Sequence, residues 1–260
     1  MRTRVNVTDG ASARTHLDAL VSAIILQQNG IEPILQITCR DRNRIALQSE
    51  LIGAAAMGIT NVLFLTGDDP KQGDQPEAKP VFDLDSGALM QTAASIRDKH
   101  ELLHGRKVGG EPDYFIGAAD APVDPQPGWT PKSLLKKVEA GAEFAQTQFC
   151  MDVGVVRRYM QALADNGLEG KLNFLIGVAP LASAKSARWM KEKLFGVVIP
   201  DSFVDRMEAA EDPKAEGKKI AVEVLLELAT IPGVSGAHLM APLNEHAIPD
   251  VIEAVRAGLK

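Results

Sequence analysis

The segment Leu65-Thr66-Gly67-Asp68-Asp69-Pro70 contains the residue types that a binding or catalytic loop needs. The sequence from Val62 to Thr66 predicts a strand that is buried on both faces, as the strands of a parallel sheet are. The glycine, the two carboxylates and the proline that follow cannot continue this strand. In α/β proteins, ligands bind at the C-terminal ends of such strands. Asp68 and Asp69 are therefore candidates for site chemistry, and the alternative is that they only solvate a turn.

Polar residues also follow the other predicted strands, and most of them are uncharged hydrogen-bonding groups. These are Thr8, Asp9, Thr38, Arg40, Asp120, Gln146, Thr147, Gln148, His238 and Asn244. The sequence has no HExxH motif, no clustered cysteine or histidine ligands and no GxxxxGK[ST] loop, which disfavours metal hydrolysis and nucleoside triphosphate chemistry. Neutral donors around a central carboxylate suit a planar heterocycle that is bound by its edges.

Composition limits the classes of protein to consider. The net charge of -6 argues against a general nucleic-acid binder. No apolar run is long enough to span a bilayer, and the first residues do not resemble a secretory leader. Cys39 and Cys150 lie in apolar strand-like runs and are expected to be small buried hydrophobes. We therefore expect a cytoplasmic protein that binds neither nucleic acid nor membrane.

Strand-like and helix-like segments alternate strictly along the chain, which predicts parallel strands with helical crossovers. The first helix is predicted over His16 to Asn29, with an apolar face formed by Leu17, Leu20, Val21, Ile24 and Ile25. Seven βα units are counted, whereas a barrel of this class has eight. No linker rich in Pro, Gly or Ser separates two halves, so a single (β/α) barrel domain is expected over residues 1–260.

Several motifs occur in the order expected of one known family. They are Val5-Asn6-Val7-Thr8-Asp9-Gly10-Ala11, Gln36-Ile37-Thr38-Cys39-Arg40, the Leu65–Pro70 segment, Lys136-Lys137-Val138-Glu139-Ala140-Gly141-Ala142 and Thr147-Gln148-Phe149. With these motifs the chain resembles the methylenetetrahydrofolate reductase family of one-carbon metabolism and methionine biosynthesis. The resemblance covers nearly everything from Val5 onwards.

The resemblance implies a (β/α)8 TIM-type barrel that begins, in this chain, at the family's second strand. It implies FAD as cofactor and NAD(P)H as the source of hydride. The reduced flavin would pass this hydride to 5,10-methylenetetrahydrofolate and produce 5-methyltetrahydrofolate. A folate substrate and a homo-oligomer or hetero-complex are the partners expected on this basis.

The resemblance also implies roles for particular residues. Asp68 would lie beneath the flavin pyrimidine, Gln148 would hydrogen-bond the pterin edge, and Met240 would lie beside the substrate. Lys136 and Lys137 would hold the FAD diphosphate, although a solvated helix face is the alternative. The residues expected at the flavin are Thr8, Gln36, Leu65, Thr66, Gly67, Phe82, Asp83 and Ala118.

Two departures from the family pattern leave alternatives open. The glutamate that protonates the folate in this family has no match, because the chain begins at what resembles the second strand. Met240 stands in the neighbourhood where an aromatic residue covers the nicotinamide. One alternative is a folate- or pterin-binding barrel that transfers a methyl group to a corrinoid partner without a flavin. The other is a non-catalytic subunit that associates with a reductase chain.

Overall fold

The computed structural model describes residues 3–259, which form seven strands and nine α-helices. The strands are β1 (Val5–Val7), β2 (Pro33–Thr38), β3 (Asn61–Leu65), β4 (Phe115–Asp120), β5 (Phe144–Phe149), β6 (Asn173–Val178) and β7 (Val234–Leu239). The helices are α1 (Ala19–Gln28), α2 (Arg44–Ala56), α3 (Ser86–Lys99), α4 (Lys132–Glu139), α5 (Val153–Asp165), α6 (Ala184–Lys193), α7 (Asp201–Ala209), α8 (Pro213–Leu228) and α9 (Ala247–Gly258). Two 3-10 turns, Ala11–Ala13 and Pro70–Gln72, follow β1 and β3.

The strands form one sheet in sequential order, β1 to β7. Parallel pairing joins β1 to β2, β2 to β3, β3 to β4, and β6 to β7. Each connection between successive strands contains at least one helix, which is the usual form of a crossover between parallel strands. The prediction of an α/β fold with seven βα units is confirmed, and residues 3–259 contain no eighth strand.

The chain divides into two compact units. The first contains the described residues through Ala119 together with Ser133–Phe144, and the second contains Asp120–Lys132 together with the described residues from Ala145 onwards.

In the first unit the register assigns side chains to two faces of the sheet, because paired residues of parallel strands project to the same side. One face is apolar and buried, with Leu35 beside Val62 and Ile37 beside Phe64. The opposite face carries buried polar residues, which are Gln36, Thr38 and Asn61. Polar side chains in this position can bind a ligand only where the strands end and solvent or ligand has access.

Helix α1 differs from its prediction in both its start and its buried face. It begins at Ala19 because the Asp18 carboxylate accepts a hydrogen bond from the Val21 amide at 2.9 Å, which caps the helix. Ala19 and Ala23 are the buried residues, whereas Leu17, Val21 and Ile25 are 67%, 45% and 48% exposed. Of the predicted apolar face, Leu20 and Ile24 are half-buried. The prediction is therefore right for these two residues and wrong for Leu17, Val21 and Ile25. Periodicity shows which residues share a helix side but not that the small ones face inward.

In the second unit the sequence predicts the last strand over Ala237 to Met240, whereas β7 runs from Val234 to Leu239. Its pairing with β6 starts at Val234 opposite Phe174, and a register shift separates that pair from Leu175 opposite Gly236. The Val-Ser-Gly sequence has weak strand propensity, so the pairing partner rather than the local sequence determines where β7 begins. Cys150 is buried, as is Cys39 in the first unit, which confirms both cysteine predictions.

Candidate functional site

The structure separates the two aspartates that follow β3. Asp69 is the N-cap of the Pro70–Gln72 turn, and its carboxylate accepts a hydrogen bond from the Lys71 amide at 3.0 Å. Asp68 is exposed, and within residues 3–259 its side chain makes no hydrogen bond or ion pair. The turn-forming alternative therefore describes Asp69, while the Asp68 carboxylate is available to a ligand.

Gly67 allows the chain to pass closely over the end of β2. Its φ of +97° lies in a region that L side chains rarely adopt. A Cβ at this position would lie 3.0 Å from the Cβ of Arg40 and 3.2 Å from the Cβ of Thr38. Only glycine combines this backbone conformation with this approach, so it determines where the Asp68 carboxylate is presented.

Arg40 is a buried cation beside this loop, with 4% of its surface exposed. Its Nε donates to Asp41 at 2.8 Å, and its guanidinium also donates to the Gly10 carbonyl at 3.1 Å. The hydrogen bond to Asp41 raises the pKa of Arg40, and the negative charge of Asp68 contributes in the same direction. The loops after β1, β2 and β3 are thus coupled through one guanidinium group.

Asp9, found among the strand-end residues, has a structural role in this unit. Its Oδ2 accepts hydrogen bonds from the Thr38 amide at 2.8 Å and from the Thr38 hydroxyl at 2.9 Å. It also pairs with Arg42, which pairs in turn with Glu50 of α2. Burial raises the pKa of Glu50 to about 7, against the opposing effect of Arg42. This network fastens the ends of β1 and β2 to α2.

Three of the residues expected at the flavin share the polar face of the sheet. Thr8 follows β1 on the side of Gln36, since Val7 pairs with Leu35, and Leu65 pairs with Thr38 on that same side. The Gln36 amide donates to Asn6 Oδ1 at 3.3 Å, whereas its Oε1 is buried without a partner within the described residues. Ala118 pairs with Phe64 on the opposite, apolar face and is fully buried, so the structure does not bring it together with these three.

Phe82 and Asp83 lie in the segment that returns to the end of β2. Phe82 donates its amide to the Cys39 carbonyl at 3.2 Å, has a φ of +40°, and leaves 40% of its surface exposed. A non-glycine residue held at positive φ is a strained feature that is common at ligand sites. Asp83 forms two hydrogen bonds of 2.8 Å with the Arg44 guanidinium, which lowers its pKa to about 2. Phe82 therefore presents an apolar surface, while Asp83 is already paired.

The two lysines of α4 also differ. Lys137 Nζ donates to the Ala119 carbonyl at 2.6 Å at the end of β4, so this side chain is held against the sheet. Lys136 is exposed and makes no hydrogen bond or ion pair within the described part of the chain. Thr66 is exposed too, and its hydroxyl lies 3.4 Å from that of Ser86. Of the two lysines, Lys136 has its cation available.

In the second unit Gln148 is half-buried at the end of β5, and both ends of its amide are engaged. Its Nε2 donates to the Phe195 carbonyl at 3.2 Å, and its Oε1 accepts from the Phe149 amide at 3.0 Å. Met240 directly follows β7, and its amide donates to the Val178 carbonyl at 3.1 Å. Phe195 was missed by the sequence analysis, because an apolar residue after a helix gives no sign that its carbonyl reaches Gln148.

His238 and Gln146 contribute further polar groups to this unit. Burial lowers the pKa of His238 to about 4, against a hydrogen bond to the Thr147 backbone. His238 Nδ1 and Gln146 Oε1 are both buried without a partner within residues 3–259. A neutral imidazole at this position cannot act as a cation toward a ligand near neutral pH.

The described residues contain no group of three or more His, Cys, Asp and Glu side chains arranged to hold a metal ion. None of the helices within residues 3–259 combines the length and the apolar character that crossing a membrane requires.

Comparison with known proteins identifies relatives of the chain. The family model for methylenetetrahydrofolate reductase matches residues 1–256. Methylenetetrahydrofolate reductase 2 of Schizosaccharomyces pombe is 26% identical over 226 residues, which cover 86% of this chain and 35% of that protein. The 5,10-methylenetetrahydrofolate reductase of Salmonella typhimurium is 28% identical over 220 residues, or 83% of this chain and 66% of the relative. The chain thus spans about a third of the first relative's length and just under two thirds of the second's.

A solved structure supports the fold. An uncharacterized protein from Clostridium thermocellum that binds two copies of 5-methyl-5,6,7,8-tetrahydrofolic acid aligns with a TM-score of 0.58. The alignment covers 89% of this chain and 76% of that one at 13% identity, a likeness that extends to the fold alone.

Proposed function

The chain belongs to the methylenetetrahydrofolate reductase family, and we propose that it is a flavin-dependent reductase acting on 5,10-methylenetetrahydrofolate. NAD(P)H is the hydride source in this proposal and 5-methyltetrahydrofolate the product. We further infer that residues 1–260 form one (β/α) barrel domain in the cytoplasm. The observation that carries the proposal is the Asp68 carboxylate, which follows Gly67 at the C-terminal end of β3 and makes no hydrogen bond or ion pair within residues 3–259.

The first unit has features that fit FAD. The buried Gln36 Oε1 has no partner among the described residues, and a ring N–H of a heterocycle would satisfy it. Phe82 offers an exposed apolar surface, and Thr8, Leu65 and Thr66 are also partly or fully exposed. Lys136, with its cation available, fits the FAD diphosphate better than Lys137, whose ammonium already donates to a carbonyl.

FAD would supply the ability to accept hydride from the nicotinamide and to donate it to the folate methylene carbon. The chain's own contribution is to bind and orient the reactants and to set the local charge. The Asp68 carboxylate disfavours additional negative charge on a group bound beside it. Gln148 and Met240 are the residues that we assign to the folate, with the Gln148 amide matching the donor and acceptor pattern of the pterin edge.

The experiment that tests this proposal is a titration of the purified protein with FAD, followed by anaerobic addition of NADH or NADPH. We expect saturable FAD binding at micromolar concentrations and bleaching of the flavin absorbance by the reduced nicotinamide. We also expect the protein to bind 5-methyltetrahydrofolate. A protein that takes up no FAD contradicts it.

Two matched variants assign the FAD site to the first unit. Gln36→Leu removes the amide whose oxygen lacks a partner and should weaken FAD binding. Gln146→Leu removes a comparable amide in the second unit and should leave FAD binding unchanged. Folate binding without FAD binding would favour the corrinoid-linked methyl-transfer barrel. Activity that depends on a co-purifying reductase chain would favour the non-catalytic subunit.

A further inference from the structure

A tight turn follows α6 and carries an exposed aromatic side chain. The Val197 amide donates to the Leu194 carbonyl at 3.4 Å, which closes a four-residue turn over Leu194–Val197. Its third residue is Gly196, with a φ of +72°, as turns with a left-handed third residue require. Phe195 occupies the second position and is 91% exposed. We refer to Leu194–Val197 as the Phe195 turn.

The Phe195 turn is fastened on both sides. The Leu194 amide donates to the Met190 carbonyl at 3.1 Å and so continues the hydrogen bonding of α6. On the other side, the Val198 amide donates to Phe149 O at 2.9 Å and the Met151 amide donates to Val198 O at 2.8 Å. Residue 198 is therefore bridged to the end of β5, immediately after Gln148. The tip is held near Gln148 while its aromatic ring remains in solvent.

The backbone of the Phe195 turn closes over the Gln148 side chain. The Phe195 carbonyl accepts the Gln148 Nε2 hydrogen bond at 3.2 Å. A Cβ on Gly196 would lie 2.9 Å from the Ala121 Cβ and 3.8 Å from the Gln148 Cγ. A side chain at position 196 would collide with Ala121 and displace the turn, so glycine permits the turn to lie against Gln148.

The closed turn conflicts with a ligand at Gln148. The Gln148 Oε1 already accepts from the Phe149 amide at 3.0 Å, and its Nε2 donates to Phe195. A heterocycle edge that pairs with this amide must replace at least one of these partners. The Phe195 carbonyl is the one that can leave, because it lies on a turn tip next to a glycine, whereas Phe149 lies within β5.

The almost fully exposed Phe195 lies next to Gln148, the residue assigned to the folate, and its ring could itself contact the ligand. Aromatic rings that are exposed in a free protein bury large apolar areas when a flat ligand stacks on them. We propose that the Phe195 turn is a folate-operated latch, in which the folate takes the place of the Phe195 carbonyl on Gln148 and the Phe195 ring packs on the flat part of the folate. This inference rests on the proposed function, because it requires that Gln148 binds the folate.

The test is equilibrium binding of 5-methyltetrahydrofolate to the FAD-supplied protein and its variants. Phe195→Ala removes the stacking ring and should raise the folate Kd by about tenfold or more. Phe195→Tyr keeps an aromatic ring and should remain within about threefold of wild type. Trp189→Ala is the matched control, because Trp189 is a second exposed aromatic residue, on α6, with 55% exposure. It should leave the Kd unchanged, and FAD binding should be the same in all four proteins.

A spectroscopic measurement follows the movement of the turn directly. In Phe195→Trp, addition of 5-methyltetrahydrofolate should change the fluorescence of the new tryptophan beyond the change seen in wild type. An unchanged Kd in Phe195→Ala, or no additional fluorescence change in Phe195→Trp, overturns the latch while wild type still binds folate. A wild-type protein that binds FAD but no folate overturns both the latch and the folate assignment.

Discussion

At the scale of single residues, the neighbouring Asp68 and Asp69 differ in whether their carboxylates form hydrogen bonds within the fold. The Asp69 carboxylate is used within the chain as a cap, and the Asp68 carboxylate faces solvent without a partner among the described residues. Sequence placed both at the end of a buried strand and could not distinguish them, because the capping geometry depends on the backbone path through Gly67. A carboxylate that makes no hydrogen bond or ion pair within the described residues is the better candidate for binding or catalysis.

The pair Asp68→Asn and Asp69→Asn tests this distinction. Asp68→Asn removes a negative charge but keeps size and hydrogen bonding, so folding and FAD retention should change little. Reduction by NAD(P)H should become easier and transfer to the folate slower, each by about tenfold, which corresponds to about 1.4 kcal/mol. Stopped-flow measurement of both half-reactions, with the flavin potential, checks this result. Asp69→Asn should leave both rates unchanged, and equal behaviour of the two variants would contradict the role of Asp68.

Glu50 predicts a pH dependence of stability. Arg42 lies between Glu50 and Asp9, and Asp9 and Asp18 add negative charge that raises the pKa of Glu50 further. Because the folded pKa of about 7 exceeds the ordinary value of 4.5, the folded state binds the proton more tightly than the unfolded state. The Glu50 contribution to stability is therefore full below pH 4.5 and is lost as the pH rises to about 7.

Urea unfolding at several pH values, for wild type and Glu50→Gln, checks this prediction. The free energy of unfolding of wild type relative to the variant should fall by up to about 3 kcal/mol between pH 4.5 and 7. The comparison with the variant is needed because His238, with its lowered pKa, gives the opposite trend in both proteins. A difference that rises with pH would show that Arg42 keeps Glu50 ionised.

At the scale of elements, most boundaries follow from local chemistry. The sequence predicts a helix that is capped by Asp85 or Ser86 and ends near His100. In the structure Asp85 caps α3 by accepting a hydrogen bond from the Ala88 amide at 2.7 Å, and His100 ends the helix in a left-handed conformation. The buried side of α1 followed from local sequence only in part. Ala19 and Ala23 are buried and Leu20 and Ile24 are half-buried, while the other large apolar residues of the predicted face remain exposed. Small residues permit close approach of a helix to its neighbours, and hydrophobicity alone does not register this effect.

Two substitutions in α1 test its orientation. Ile25→Lys replaces a residue that is 48% exposed and should change the free energy of unfolding by no more than about 0.5 kcal/mol. Ala23→Leu adds volume at a fully buried position and should cost about 1–3 kcal/mol. Denaturant unfolding measures both values. If Ile25→Lys proves as costly as Ala23→Leu, the Leu17–Val21–Ile25 side of α1 is covered in solution.

At the scale of the whole molecule, cofactor binding and folding are linked. A ligand that binds only the folded state stabilises it according to its concentration relative to Kd. FAD at about 100 times its Kd should therefore raise the free energy of unfolding by about 2.7 kcal/mol, with a Tm that increases with FAD concentration. Thermal unfolding monitored by circular dichroism checks this. In Lys136→Ala a weaker increase at equal FAD is expected, and a Tm that does not respond to FAD in wild type would contradict the flavoprotein proposal.

The sequence by itself determined the α/β class, the seven βα units and the family, because hydrophobic periodicity, turn residues and ordered motifs are local properties of the chain. It also placed Asp68 and Gln148 at strand ends and Gln36 within a strand. Only the tertiary structure decided which polar groups are already satisfied. Partners within the fold engage Asp9, Asp69, Asp83 and Lys137, and the Phe195 turn engages the Gln148 amide. Asp68, Lys136 and Gln36 Oε1 have no hydrogen-bond or ion-pair partner within the described part of the chain. The reason is that a hydrogen bond depends on groups brought within about 3 Å by folding, and sequence spacing does not specify that distance between segments far apart in the chain.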